Sequence, residues 1–272
     1  MDPFLPWPGS KAKCSGDIIY EFPREFNTYY EPFLGSGAIY FALNNSMSYR
    51  WFKEARLSDK NANLINCWRA VMERPEHVQA MLLHCLTRNS EEFYQVMRTQ
   101  MENPSVFIYV MRAAFSSMYR ENQKGQFNVP WRKQDFEGGK RISFDVEHLA
   151  KCSRYMRDTG AILSVADWTD VSQDAKAGDL VYFDPPYLPY SENGFVAYTA
   201  GGFNESDHVL LSTCARQLSE KGVFVALSNS DVPASRRIYG EPVRTIVVSN
   251  AVKSTATTKG TREEGLWVWR PS

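Results

Sequence analysis

The stretch Thr28-Tyr29-Tyr30-Glu31-Pro32-Phe33-Leu34-Gly35-Ser36-Gly37, followed by Ala38-Ile39-Tyr40-Phe41-Ala42-Leu43, reads as a strand, a glycine-rich turn and an apolar helix. Glycines in such a turn let a ligand approach the backbone closely, and the start of the helix offers free N–H groups. This is a nucleotide-binding arrangement, although an ordinary tight turn leaves the same trace. Farther on, Leu57-Ser58-Asp59 ends a second candidate strand with a carboxylate about two dozen residues beyond the turn, where it can bind ribose hydroxyls. Asp59 also suits the start of a helix near Asn61, and the two roles are compatible.

The remaining chain alternates strand-like and helix-like segments, the pattern of an α/β protein. Candidate strands recur at 161–166, 180–183, 223–227, 245–248 and 266–269, and 208–218 has the character of an intervening helix. From 75 to 155 the pattern turns helical and loop-like. Phe93, Val96 and Met97, then Val106, Tyr109 and Val110, fall at helical spacings ahead of a Gly-rich basic segment near 120–140. We read 1–74 and 156–272 as one core and 75–155 as an insertion, with a cleft between the two parts suited to a large polymeric substrate.

The apolar run Leu180-Val181-Tyr182-Phe183 ends in Asp184-Pro185-Pro186-Tyr187. These four residues supply what is needed to methylate an exocyclic amine, whose lone pair is delocalised into its ring and attacks poorly. A carboxylate accepting one N–H and a fixed carbonyl accepting the other favour a pyramidal nitrogen and return the lone pair to it. Asp184 and the Pro185 carbonyl are the candidate acceptors. Pro185 and Pro186 hold φ near about −65° and remove two backbone donors, so the turn presents carbonyls without competing N–H groups. Tyr187 adds a flat face on which a base can stack. The competing reading is a strand that ends in a Pro-rich turn with a packed Tyr.

Composition limits the alternatives. A chain of 272 residues, 43% of them hydrophobic, can bury a substantial core in one large domain or one domain carrying an insertion. Its longest apolar stretches fall well short of the roughly 18 residues of a membrane span, and the opening MDPFLPWPGSKAK has no signal-peptide hydrophobic segment. The expectation is a cytoplasmic protein without membrane contact. The five cysteines show no CxxC pair and the four histidines no ligand spacing, so no metal is expected. Formal charge is zero, with 31 basic and 31 acidic residues, but the charge is not evenly spread. Between 112 and 141 seven basic residues face three acidic ones, and between 243 and 262 there are four basic residues and no acidic one. Such stretches are either solvated faces or phosphate contacts.

Together these residues resemble the Dam-like (alpha-group) DNA adenine-N6 methyltransferases. The resemblance runs the length of the chain: Trp7-Pro8-Gly9-Ser10-Lys11, where the family usually has Trp-Ala-Gly-Gly-Lys; Pro32 through Gly37; Leu57-Ser58-Asp59; Tyr119-Arg120 and Gly125 through Pro130; Asp167-Trp168; Asp184 through Tyr187; and Leu227-Ser228-Asn229-Ser230-Asp231. It implies a Rossmann-like S-adenosylmethionine-dependent core with an inserted, mainly helical target-recognition domain. It also implies a methyl group carried from S-adenosylmethionine to the N6 amine of an adenine flipped out of DNA, with restriction-modification as one setting.

Carried over by position, Trp7 and Lys11 become cofactor-side residues, and Phe33, Gly35, Ser36 and Gly37 form the turn over the methionine moiety. Asp59 becomes the ribose ligand, Asp167 and Trp168 the adenine-binding corner, and Asp184 also touches the methionine end. The family's recognition segment and the basic loops place DNA contacts at Arg112, Phe115, Ser116, Met118, Arg120, Asn122, Lys124, Asn128, Pro130 and Lys253.

The departures lie where the family reads sequence. Pro6 stands where relatives carry a base-reading Lys, and Phe115 and Ser116 stand where an aromatic hydroxyl and an Asn are typical, while Arg120 is retained. Lost readers relax or change specificity, so the family's usual GATC target is not expected to hold strictly. The tetrapeptide alone equally fits methylation of cytosine N4, RNA adenine or a protein glutamine amide. A catalytically silent DNA-binding module would need a broken site, and none is visible. Oligomeric state, recognition sequence and any cognate restriction enzyme are not legible.

Overall fold

The structure, a computed structural model, describes residues 1–44, 52–139, 142, 144–190, 203–249 and 261–271. Seven strands form one sheet: β1 (Thr28–Glu31), β2 (Glu54–Asp59), β3 (Ala161–Val165), β4 (Leu180–Phe183), β5 (Phe224–Ser230), β6 (Arg244–Ser249) and β7 (Thr261–Trp269). Their order is β3-β2-β1-β4-β5-β7-β6. β1 to β5 run parallel, while β7 lies antiparallel between β5 and β6. β4 and β5 are buried along their whole length, as expected of central parallel strands covered on both faces.

This order sets the position of the site. From β1 the chain steps to β2 and β3 on one side, and β4 then returns to β1's other flank, pairing Tyr29 with Leu180 and Tyr30 with Val181. Between β1 and β4 the winding reverses, and at such a switch point the loops leaving the carboxyl ends of neighbouring strands diverge and open a crevice. Those loops are the Gly35–Gly37 turn and the Asp184–Tyr187 tetrapeptide.

The sequence-based boundaries hold where local chemistry is decisive. The first helix after β1 spans Ala38–Leu43. β1 stops at Glu31, two residues short of expectation, because Pro32 has no N–H to give to a ladder. β5 runs on to Ser230 and β7 starts at Thr261, both longer than their apolar runs, because Ser228 to Ser230 pair with Leu266 to Glu264. Polar side chains there are carried by tertiary pairing rather than by their own β-propensity.

Residues 75–155 lie within the crossover from β2 to β3, which holds helices Ala62–Glu73, Pro75–Thr87, Glu91–Met97, Pro104–Ala113, Lys133–Glu137 and Val146–Asp158. Helix Val146–Asp158 runs past residue 155 and feeds β3 directly. Among the described residues, Val78, Leu82, Phe107 and Tyr109 of this segment share one buried cluster with Tyr29, Phe41, Leu57 and Trp68. The other buried cluster places Leu211, Ala215 and Leu218 of helix Glu205–Glu220 with Val181, Phe183 and Val225. Among the described residues, no helix is long and apolar enough to cross a membrane.

Candidate active site

The glycine turn is held from three directions. Gly35 N donates to Asp59 Oδ2 at 3.1 Å, and Asn61 N donates to Asp59 Oδ1 at 2.9 Å. One carboxylate thus ties the turn after β1 to the helix start after β2, while Asn61 caps that helix by accepting from Leu64 N. Burial raises the Asp59 carboxyl and the backbone donors pull it back down. Each of its oxygens has a second lone-pair site, so the group can still accept from a ligand hydroxyl. Ser36 Oγ donates to Ser10 Oγ at 2.9 Å, which fastens the N-terminal segment across the turn. Trp7 lies against Gly35 and stacks on Tyr119 (centroids 5.0 Å apart), so it also joins the turn to the 75–155 segment.

Lys11 packs against the Asp184–Tyr187 loop. It is buried, its Nζ lies 3.0 Å from Asp184 Oδ1, and it sits 4.5 Å from the Tyr187 ring centroid. Its aligned hydrogen bond goes to Gly9 O at 2.6 Å, leaving Asp184 Oδ1 without a well-directed donor. Burial acts to lower the Lys11 pKa, but Asp184 and Glu264 outweigh it and the ammonium is held above its ordinary value. Burial pushes the Asp184 carboxyl up to about 6 against the pull of Lys11. The Asp184 side chain keeps 19% of its surface exposed. Among the described residues, no backbone N–H bonds to the Pro185 carbonyl.

Both loops open into one cleft of about 1030 Å³, lined by Trp7, Phe33, Asp59, Asp167, Asp184 and Tyr187 among others. Gly35, Ser36, Lys11, Trp168, Pro185 and Pro186 also line it. Its apolar wall is aromatic, with Phe33 stacked on Trp168 at 6.5 Å and met edge-on by Phe203 at 5.6 Å. Asp167 stands beside this wall and accepts from Thr169 N and Oγ1, with Lys60 Nζ 2.5 Å from Oδ2. Burial works to raise Asp167, but Lys60 and Thr169 prevail and keep it below the usual carboxylate range.

The proposed DNA-facing residues separate into two groups. Residues 120–128 form a hairpin in which Asn128 N donates to Arg120 O and Asn122 N to Gln126 O. Arg120 Nε donates to Asn128 Oδ1 at 2.8 Å, and Asn122 Oδ1 accepts from Lys124 N. Arg120, Asn122 and Lys124 are exposed, as are Phe115, Ser116 and Pro130, while Met118 is half-buried. Ser116 takes φ 52°, a left-handed conformation, on the short turn that carries Phe115. Arg112 differs. Its guanidinium donates to Phe4 O at 2.7 Å and lies over the Phe144 ring, so it braces the N-terminal segment from within. Lys253 and most of the second basic stretch lie outside the described residues.

Several residues in and around the cleft fall outside the candidate site residues read from the sequence. Glu31 closes its floor, accepting from Tyr29 OH and Tyr40 N, and burial pushes its carboxyl up to about 8. Asn229 Oδ1 accepts from Leu188 N at 2.9 Å and Ser230 Oγ donates to Leu188 O at 2.6 Å, so β5 clamps the residue after Tyr187 from both sides. Glu264 Oε2 accepts from Tyr187 OH at 3.0 Å. A charged residue ending an apolar strand was the available hint for Glu31. Asn229 and Ser230 lie in the Leu227–Asp231 motif that carries the resemblance, and Glu264 needed the sheet order. Among the described residues, no group of three or more His, Cys, Asp or Glu is arranged to hold a metal ion.

The family model described as D12 class N6 adenine-specific DNA methyltransferase matches residues 7–255. The type II methyltransferase M1.LlaDCHI of Lactococcus lactis subsp. cremoris is 35% identical over 251 residues, which cover 88% of this chain and 84% of that protein. The type II methyltransferase M.MjaIII of Methanocaldococcus jannaschii is 29% identical, covering 85% of this chain and 84% of its own. A DNA adenine methylase of Haemophilus influenzae is likewise 29% identical, covering 87% and 82%.

Proposed function

The chain belongs to the D12 class of N6 adenine-specific DNA methyltransferases, and from that premise we propose that Asp184, the Pro185 carbonyl and Tyr187 act on an adenine extruded from DNA. The observation that carries this reading is the shared cleft, in which the Asp184 turn and the Gly35–Gly37 turn face one volume. S-adenosylmethionine supplies an electrophilic methyl group on a sulfonium. The residues present fit it: an aromatic wall at Phe33 and Trp168 for the adenine, carboxylates at Asp59 and Asp167 for polar edges, and Asp184 lining the cleft with its buried Oδ1 lacking a well-directed donor.

A stacked, paired adenine cannot bring its amine in line with a donor held in this cleft. Extrusion costs a few kcal/mol, and stacking on an aromatic such as Tyr187 returns about 1 to 3 kcal/mol. Asp184 then accepts one amino N–H and the Pro185 carbonyl the other, which localises the lone pair on nitrogen. The methylated ammonium is strongly acidic and loses its proton to water or Asp184, so no separate general base is needed.

The decisive test is incubation of purified protein and labelled cofactor with DNA, RNA or protein, followed by digestion. N6-methyladenine from DNA is expected; label confined to cytosine N4, RNA or a glutamine amide would overturn the reading. We further propose that selectivity is looser than GATC, on the strength of Pro6, Phe115 and Ser116. Mapping of methylated adenines on naive DNA that finds only GATC ends that proposal.

Two further outcomes are expected. Asp184 must be ionised to accept, so kcat/KM, which reports the free enzyme, should fall on the acid side with a midpoint near Asp184's value of about 6. Below that pH the carboxyl becomes a donor and meets the amine with the wrong polarity. A flat profile down to about pH 5 would count against this role. Segment 75–155 is proposed as the target-recognition unit, with Lys124 at its exposed hairpin tip contacting phosphate. Lys124→Ala should then reduce the slope of log K against log salt by about one. The same holds for Lys253→Ala, and an unchanged slope for both removes the assignment.

A further inference from the structure

Tyr187 is fastened at more points than a stacking ring needs for burial alone. Its backbone neighbour Leu188 is clamped by Asn229 and Ser230 of β5. Lys11 Nζ approaches the ring at 4.5 Å from its centroid, and the hydroxyl reaches across to Glu264 Oε2 at 3.0 Å. Glu264 comes from β7, where the register sets it opposite Ser230 on one side and Ile246 on the other. It lines the same cleft as Asp184 and Tyr187. Burial and the Asp184 and Glu264 charges keep the phenol protonated and hence a donor. With the backbone held by β5, the side chain can still swing about its Cα–Cβ bond, and the Glu264 bond pins the far end of the ring against that swing. A platform locked before its ligand arrives loses less entropy on binding.

We propose that Glu264 is a positioning residue for methyl transfer, fixing the Tyr187 ring in the orientation that receives the extruded base. This rests on the reading of Tyr187 as the stacking platform. In this role Glu264 touches the tyrosine and not the base.

The test is steady-state kinetics of the full chain on duplex DNA for Tyr187→Phe, Glu264→Ala, their double variant, Glu264→Gln and Tyr187→Ala. Tyr187→Phe and Glu264→Ala should each lower kcat about tenfold, the loss of one hydrogen bond to a charged group, with cofactor KM within about twofold. The double variant should be no worse than the poorer single variant, because both remove the same bond. Glu264→Gln, whose amide oxygen still accepts, should recover most of the rate. Losses that multiply in the double variant, or unchanged kcat in Tyr187→Phe, overturn the proposal. Tyr187→Phe and Glu264→Gln are near-isosteric, so the outcomes of those two variants decide the proposal even if Glu264→Ala fails to fold. Near-normal kcat in Tyr187→Ala overturns the stacking reading and this proposal together, whereas a damaged Tyr187→Ala beside an intact Glu264→Ala overturns this proposal alone.

Discussion

Asp184→Ala is expected to lower methyl transfer by about a thousandfold or more, the scale set by removing a preorganised group that stabilises developing charge, while DNA binding stays measurable. Its carboxylate is the only anionic member of the tetrapeptide, and it lies at the mouth shared with the glycine turn. The change also strands Lys11, which is 5% exposed and 3.0 Å from the lost oxygen. Removing one partner of a buried pair costs about 3 to 5 kcal/mol, so a loss of activity by itself would be ambiguous. Asp184→Asn keeps the shape and replaces an acceptor with a donor. The double variant Asp184→Ala/Lys11→Met removes the stranded charge. Single-turnover transfer of label, measured beside DNA binding by anisotropy and thermal melting, separates the effects. The double variant should regain stability and stay inactive. Turnover near that of the unmodified protein in Asp184→Ala or Asp184→Asn would show that the amine is activated elsewhere.

Gly37→Ala should destabilise the fold by roughly 2 to 4 kcal/mol, the sum of a left-handed backbone penalty and overpacking. Gly37 has φ +63°, and an added Cβ would lie 2.3 Å from Trp68 Cη2 and 2.7 Å from Cζ2. Trp68 has no room to yield. It is fully buried, and its Nε1 donates to Gly35 O at 3.3 Å. For a chain of this size a fall in Tm of roughly 5 to 10 °C is expected by thermal denaturation. Cofactor affinity should fall with it, because the displaced Trp68 carries the turn. Gly125→Ala is the control: φ is +72° there but no atom lies within 4 Å of the added Cβ, so only the backbone penalty of about 1 to 2 kcal/mol remains. Equal Tm shifts in the two variants would show that Trp68 contributes nothing to the requirement for glycine.

Legibility in the sequence followed locality. Helix Ala38–Leu43, the end of β2 at Asp59 and strand Leu180–Phe183 matched their expected positions because each is bounded by residues with strong local chemistry: glycine, proline or a carboxylate. Asp59 could be read as a ribose ligand or as a helix cap; in the structure Asn61 is the cap, and Asp59 accepts from Gly35 N and Asn61 N. The polar ends of β5 and β7 were missed for the converse reason, since Ser228, Asn229 and Thr261 have weak strand character and pair only because partners are supplied from elsewhere. Arg112 reads as a DNA contact from the basic stretch and the family's recognition segment, and only packing supplies its contacts with Phe4 O and the Phe144 ring.

Pattern and spacing were enough to read an α/β chain with a glycine-rich turn after its first strand and an Asp-Pro-Pro-Tyr turn after an apolar one, because those features depend on backbone freedom and side-chain type within a few consecutive residues. Tertiary structure alone decided that the two loops share one cleft, through the reversal of strand order between β1 and β4. It also brought Lys11 to Asp184 and Glu264 to Tyr187, the latter pair 77 residues apart. Contacts across such distances have no local trace, since any exposed-looking Lys or Glu in a polar stretch reads alike until the sheet sets which strand ends meet.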